Sequence, residues 1–582
     1  MSADMTYILG IDTGGTYTDG VIVDTITRKV ISKSKTPTTK YDLKIGIENC
    51  IKQLDIVDGS LIRQVSLSTT LATNAVVENN RCKTGLILIG RESKEKVPTS
   101  YVEYVTGRMD INGNEIEPIS NKQLQSAISH LKDEVDAIAI SGYASVRNPV
   151  NEIKAKKLVE DMTNLPVFCA HELSGSLGFA ERTNTAVLNA GLIKIVEEFL
   201  VAAKEALLRN NIMGQVMIVR SDGCLMREEH ALQRPIETIL SGPAASIMGA
   251  CVLTDIEDAF ILDMGGTTMD IANLKNGSVN ISNETAKIGG WSTRVNAVEV
   301  STHGIGGDSH IQVSKTGITI GPQKAKPISQ GGVSVDLTPT DILRILERYD
   351  VGNREAVEIC LSDISKNTGI NYEILIGQIM ESINKTIYTG LIQSVVDFNN
   401  KEIILKEEKA ASYLIDKAYT NDDSEFLSAR AELKKPIIAV GAPVKAWLPH
   451  IGSLFGAKVI IPDNAEVANA IGAAFGRICE KSTALIRRDK NKRKYYLHLP
   501  DRKKIFYSRK QAKAYAKADL EKRVTKMAEA TGCSHVDIDV TIDDLYVETL
   551  DNRKKYIETK VTAIASGWPT LTISAFYDKV NR

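Results

Sequence analysis

The sequence predicts an α/β protein of two related lobes with a small α+β domain at the end of the chain. Short β-branched runs alternate with longer segments of helical period, the pattern of largely parallel sheets covered by helices. One glycine motif occurs twice: Asp12-Thr13-Gly14-Gly15-Thr16-Tyr17-Thr18-Asp19 and Asp263-Met264-Gly265-Gly266-Thr267-Thr268-Met269-Asp270 share D-x-G-G-T-x-x-D. Beyond residue 478 the chain turns basic, then returns to alternating strands at Val536–Val540 and Lys560–Ile564.

Each motif follows an apolar strand (Tyr7–Ile11, Ala259–Leu262) and precedes another (Gly20–Val23, Ile271–Leu274). Two copies of one strand–turn–strand unit predict two domains facing each other across a cleft. Boundaries are expected at 1–180 for the first lobe and 181–478 for the second, with a helical subdomain at about 340–435 that contains the amphipathic stretch Glu373–Asp397. Within the first lobe Gly85–Ile89 and Ala137–Ile140 read as strands and Asn121–Leu131 as a helix. Pro166–Ala170 reads as a strand whose loop, His171-Glu172 included, leads into a connecting helix at Thr183–Val196. Later, the strand Ile437–Val440 ends in Gly441-Ala442-Pro443. Ala468, Ala470, Gly472 and Ala473 let the helix Glu466–Phe475 cross a neighbour closely, as a hinge or as a tight core.

Residues 479–582 are expected to form a basic linker and the α+β tail. The stretch 481–526 carries 17 Lys and Arg against four acids, with Tyr495, Tyr496, Phe506 and Tyr507 interleaved. It accompanies no RNA-binding motif, so a positive face docking an acidic partner subunit or the tail is the favoured reading over nucleic acid.

Over all 582 residues, 71 Lys and Arg balance 72 Asp and Glu, so no global field steers the chain to nucleic acid or membrane. Eight cysteines without a C-x-x-C pair argue against a disulfide scaffold or zinc knuckle and fit a reducing cytosol. Met1–Thr6 lacks the basic start and apolar core of a signal peptide, and no apolar run approaches the roughly 20 residues that span a bilayer. A cytoplasmic protein is expected.

In a tight hairpin, paired glycines let backbone N–H groups close on an anion, and a threonine adds a hydroxyl donor; phosphate is the natural guest. Asp12 or Asp263, ending the incoming strand, would face the phosphates, where a carboxylate holds hydrated Mg²⁺ or orients a nucleophile. Ser241-Gly242-Pro243-Ala244 opens a helix suited to an anion or to close packing. Ser68-Thr69-Thr70-Leu71-Ala72-Thr73-Asn74 is either a polar cluster or a capped helix start.

The order of the two hairpins, the Gly-Ala-Pro turn and the small-residue helix resembles the actin, sugar-kinase and Hsp70 ATPase superfold. Within it, the two glycine motifs, Ser68–Ala75, His171–Ser174, Glu181–Ala190 and Ser241–Ala244 appear in the same order as in the hydantoinase A/5-oxoprolinase family, which is similar to acetone- and acetophenone-carboxylase subunits. The resemblance covers about residues 5–480.

The resemblance implies ATP cleavage coupled to opening of a cyclic amide, or to carboxylation of a ketone, often with a second, hydantoinase B-like subunit. It implies that Thr13, Gly14, Gly15 and Thr16 hold one side of the triphosphate and Gly265, Gly266 and Thr267 the other, with Asp12 and Asp263 at a magnesium ion. Gly306 and Gly307 would form a nucleotide loop, Gly441 and Ala442 would border adenosine, and Thr70 and Asn74 would lie near the reacting centre. The family's D-I-H-T-V-G-A-G-G-G-S stretch reads here Glu299-Val300-Ser301-Thr302-His303-Gly304-Ile305-Gly306-Gly307-Asp308-Ser309. Ser301 stands at the family histidine and cannot take a metal-ligand or acid–base role, while His303 is either a ligand or a locally satisfied histidine. This loop favours a second reading, an ATP-driven switch acting on a partner protein.

Overall fold

A computed structural model describes residues 6–570 except 40–41, 57, 112, 176, 283–285, 316, 332–333, 349–351, 400–402, 422–426, 490–493, 534 and 549–553. The chain forms two compact units: one of residues 1–244, 282–297 and 473–582, the other of 245–281 and 298–472.

The first unit is built on the meander β1 (Tyr7–Thr13), β2 (Tyr17–Asp24) and β3 (Val30–Pro37), with β4 (Ile62–Thr69) added parallel to β1. Leu9 and Ile11 are fully buried against the helices Leu43–Gln53 and Ile193–Arg209. A second, all-parallel sheet holds β5 (Thr84–Ile89), β6 (Tyr101–Val105), β7 (Ala137–Gly142) and β8 (Val167–Cys169) in the order β6-β5-β7-β8. Its side chains divide with period two. Ile87, Ile89, Ile138 and Ile140 join the helices Asn121–Leu131 and Val150–Met162 in one core, whereas Leu86, Leu88, Ala137 and Ala139 meet the helix Phe179–Gly191 in another. The first sheet continues through β9 (Gln215–Val219), parallel to β4, and β10 (Leu225–Arg227).

The second unit repeats the plan: β11 (Ala259–Met264), β12 (Met269–Lys275) and β13 (Ser278–Val279) form the meander. β14 (Val300–His303) also pairs with β12, and β15 (Ile437–Val440) and β16 (Val459–Ile460) follow parallel to β11. The strand order third-second-first-fourth-fifth is therefore common to both units. The helices Pro339–Ile345, Arg354–Thr368, Tyr372–Phe398 and Lys409–Thr420 pack in one core with Leu262, Met264, Met269 and Ile271 of the sheet.

The units interleave along the chain instead of dividing near 180 and 478. β9 pairs with β4, which places residues beyond 180 in the first unit. The tail strand Ile478–Arg488 pairs with β10, so the C-terminal segment extends the first unit's sheet. There two cations of the basic stretch pair with acids of the tail's strands, Lys513 with Asp544 at 2.7 Å and Arg487 with Glu558 at 2.6 Å, while Arg523 pairs with Asp501 of the stretch itself at 2.6 Å. Lys490, Asn491, Lys492 and Arg493 of that stretch lie outside the described residues.

The small-residue segment is a short 3₁₀ turn, Ala465–Val467, followed by the helix Ala468–Ala474. A Cβ on Gly249 would collide with the Ala468 carbonyl, and one on Gly472 with the Ala245 carbonyl, so this helix does cross the helix Ser241–Leu253 at backbone distance.

Candidate functional site: two glycine turns, each with an aspartate at its base

In the first unit β1 and β2 pair Asp12 with Asp19, and the Gly14 amide closes the turn by donating to the Tyr17 carbonyl at 3.0 Å. Thr38 Oγ1 fixes the turn from β3's end by donating to the Gly14 carbonyl at 2.9 Å. The Gly15 amide at the tip donates to no described residue. Thr13 Oγ1 is buried and has no partner among the described residues. A buried hydroxyl without a partner costs free energy unless something supplies one, and an open glycine amide beside it suits an anion.

Asp12 is 4% exposed and lies opposite Ser68 in the β1/β4 register, where Ser68 Oγ donates to Asp12 Oδ1. Thr70 and Asn74 come to the same place. The Thr70 amide donates to the Thr13 carbonyl at 3.2 Å, and Asn74 Nδ2 lies 3.6 Å from where a Cβ on Gly15 would sit. Gly242, at the start of the helix Ser241–Leu253, faces both groups: a Cβ there would stand 3.2 Å from Thr70 Cγ2 and 3.8 Å from Asp12 Oδ1. Ser241 Oγ accepts from the Thr69 amide at 3.2 Å and donates to the Thr69 carbonyl at 2.9 Å. Thr73 Oγ1 accepts from the Leu240 amide at 2.9 Å, so it caps its neighbour and not its own helix.

The second unit reproduces the turn. Asp263 pairs with Asp270, and the Gly265 amide donates to the Thr268 carbonyl at 3.0 Å, matching the first turn. The amides of Gly266 and Thr267 donate to no described residue. Gly441 follows β15 with φ +103°, and a Cβ there would overlap the Met264 carbonyl and lie 3.1 Å from Asp263 Oδ1. This close approach makes glycine necessary at 441. Ala442 is exposed at the start of the helix Val444–Leu454.

Gly306 and Gly307 support the turn instead of presenting amides. The Gly307 amide donates to the Gly265 carbonyl at 3.0 Å and the Gly306 amide to Ser309 Oγ at 2.8 Å; a Cβ on Gly306 would meet Gly266 at 2.6 Å. Their amides are thus committed within the unit.

The second acids of the motifs differ. Asp19 is paired with Lys35 at 2.7 Å. Asp270 accepts from Thr302 Oγ1 at 2.6 Å and Thr268 Oγ1 at 3.4 Å; burial raises its carboxyl above the usual range, and these hydroxyls oppose the rise. His303, one face over on β14, bonds Ser394 Oγ at 2.8 Å, and Ser301 Oγ donates to Asp397 Oδ2 at 2.6 Å, both partners lying on the helix Tyr372–Phe398. Burial lowers the His303 pKa. It is a histidine satisfied within its own core, the second of the two readings that the sequence left open.

Two sequence models of one family match the chain: the hydantoinase/oxoprolinase N-terminal region over residues 8–163 and hydantoinase/oxoprolinase over 182–353. The chain belongs to the hydantoinase/oxoprolinase family. Its relatives include caprolactamase subunit alpha of Pseudomonas jessenii, 27% identical over 66% of this chain and 62% of that one, and the acetophenone carboxylase gamma subunit of Aromatoleum aromaticum, 25% identical over 57% and 51%. This chain therefore aligns with less than two thirds of the length of those relatives. Among solved structures, nucleotide-free acetone carboxylase superposes with TM-score 0.73 at 16% identity, covering 98% of this chain and 88% of that one. The ATP-dependent caprolactamase of P. jessenii superposes with TM-score 0.69 at 20% identity, covering 96% and 87%. These likenesses establish the fold as the α/β fold expected. No helix among the described residues is long and apolar enough to cross a membrane.

Proposed function

We propose that the protein uses ATP to activate a carbonyl, by preference that of a cyclic amide, for ring-opening hydrolysis. The observation that carries this reading is the matched pair of turns, each closed by the same 3.0 Å bond and each presenting open glycine or threonine amides beside an aspartate. Caprolactamase subunit alpha among the relatives supports a lactam as substrate.

Amide resonance makes the carbonyl carbon a poor electrophile, and transfer of a phosphoryl group to the carbonyl oxygen removes that protection. The protein's part is to position the reactants and stabilise charge. The amides of Gly15, Gly266 and Thr267 and the Thr13 hydroxyl are the donors proposed for phosphate oxygens. Asp12 and Asp263 are hard oxygen ligands of the kind Mg²⁺ takes, and the partnerless Thr13 hydroxyl next to Asp12 fits a polar guest there. Bound Mg²⁺ would neutralise phosphate charge. Ser68 holds Asp12 in orientation, and Thr70 and Asn74 line the same place as substrate-side hydrogen-bonding groups. A second, separately encoded subunit is the expected partner.

The test is ATP hydrolysis with purified protein and its neighbouring-gene subunit, offered caprolactam, 5-oxoproline and hydantoin, or acetone with bicarbonate. ADP and phosphate release dependent on a lactam supports the reading. Dependence on ketone plus bicarbonate replaces it with a carboxylase, and stimulation by a protein alone replaces it with the switch favoured by the altered 299–310 loop.

A further inference from the structure

The parallel sheet of the first unit gathers three metal-ligand side chains at the carboxyl ends of β7 and β8. Glu152 comes from the first turn of the helix Val150–Met162, Cys169 ends β8, and His171 sits in the short helix Ala170–Leu173 that follows. One donor atom from each lies within 4.8 Å of the others. Glu152 and Cys169 are wholly buried, and the His171 side chain is 13% exposed. We propose that Glu152 Oε2, Cys169 Sγ and His171 Nδ1 bind a zinc-class divalent cation, with the fourth position open to water on the exposed side of His171.

The donors are held in place without the cation. Glu152 Oε1 accepts from the Gly142 amide at 2.7 Å, and Oε2 accepts from the His171 amide at 3.0 Å and from His171 Nδ1 at 2.6 Å. The Cys169 thiol donates to the Glu152 carbonyl at 3.6 Å. Buried Arg182, whose guanidinium reaches the Gly142 carbonyl at 3.4 Å, counters the Glu152 charge. On the other side, Glu172 Oε2 accepts the Cys169 amide at 3.4 Å and is paired with Lys156 at 2.9 Å.

Two donors on one tetrahedral zinc stand about 3.3 Å apart, given bonds of roughly 2.0–2.1 Å. The 2.6 Å imidazole–carboxylate contact therefore opens by less than an ångström as the cation enters. The imidazole proton moves to Nε2, the thiol proton is released to solvent, and the Gly142 amide stays on Oε1 as an outer-shell bond that keeps the carboxylate aimed. Thiolate with imidazole selects zinc, cobalt or similar metals over magnesium and calcium, which separates this centre from the aspartates of the two turns.

Full-length protein freed of metal with a chelator would be titrated with cobalt(II), whose thiolate complexes absorb in the near ultraviolet. The expected result is one cobalt ion per chain with a sulfur-to-cobalt band, lost in Cys169→Ser and His171→Ala and kept in Cys360→Ser. No band in the wild type, or one that survives Cys169→Ser, overturns the proposal. Zinc-edge X-ray absorption of zinc-loaded wild-type protein needs no variant. One sulfur at about 2.3 Å with nitrogen or oxygen neighbours supports the site, and a shell without sulfur refutes it.

Discussion

Substituting Ser68 by alanine removes one hydroxyl and almost no volume. Ser68 Oγ donates to Asp12 Oδ1 where both residues are buried, at 0% and 4% exposure, so water does not readily replace the lost donor. A hydrogen bond to a charged group contributes about 1.5–3 kcal/mol, which is roughly 10- to 150-fold in an equilibrium constant. If Ser68 acts by aiming Asp12 at the nucleotide, affinity for a non-hydrolysable ATP analogue with Mg²⁺ should fall by about that factor in Ser68→Ala, measured by titration calorimetry. In an Asp12→Asn background the same change should cost almost nothing, because the group that Ser68 orients is already altered. Melting curves confirm that each variant is folded. An affinity for Ser68→Ala within about twofold of wild type, or an equal loss in both backgrounds, would refute the reasoning.

Gly441→Ala forces a side chain into a φ of +103° against the Met264 carbonyl, costing about 1–3 kcal/mol from the backbone alone, so melting temperature and analogue affinity should both drop. Gly456→Ala, at φ +59° with nothing within 4 Å of the new Cβ, should leave affinity intact. Arg220 is buried among Asp222 at 3.1 Å, Glu237 at 3.4 Å and Glu480 at 3.8 Å, so Arg220→Ala should destabilise the first unit by about 3–5 kcal/mol, read by denaturant unfolding. Burial would raise the Glu237 carboxyl, but Arg220 and Arg234 overcome it and hold it at about 2; its stabilisation, full above pH 4.5, should be lost as pH falls toward 2. Burial, then Lys503, Arg147 and Arg487, hold His498 down at about 4, so stability present above pH 6.5 should decline as pH falls from 6.5 to 4. His498→Gln should flatten that part of a melting-temperature profile, and an unchanged slope would count against the assignment.

The turns were legible because their chemistry is local. Two glycines between an aspartate and a threonine, flanked by apolar strands, specify the hairpin within a dozen residues, and β1, β2, β11 and β12 form where the pattern places them. The close helix crossing was also readable from the small residues of Ala468–Ala473, Gly472 among them, although its counterpart Gly249 on the other helix was not. What the sequence hid depends on register between distant segments. Ser68 meets Asp12 only because β4 lies parallel to β1 in one alignment, 56 positions away. The commitment of the Gly307 amide to the second turn is equally non-local, and so is the joining of the tail strand to β10. His303 looked like a candidate ligand because its partners, Ser394 and Asp397 by way of Ser301, come from a helix some 90 residues on.

The central claim is that both glycine turns serve ATP. Titrating wild type, Asp12→Ala and Asp263→Ala with a fluorescent non-hydrolysable ATP analogue in Mg²⁺ tests it directly. One nucleotide per chain in the wild type, with binding lost in each variant that still melts cooperatively, is the predicted result. Binding that persists unchanged in either folded variant would contradict it.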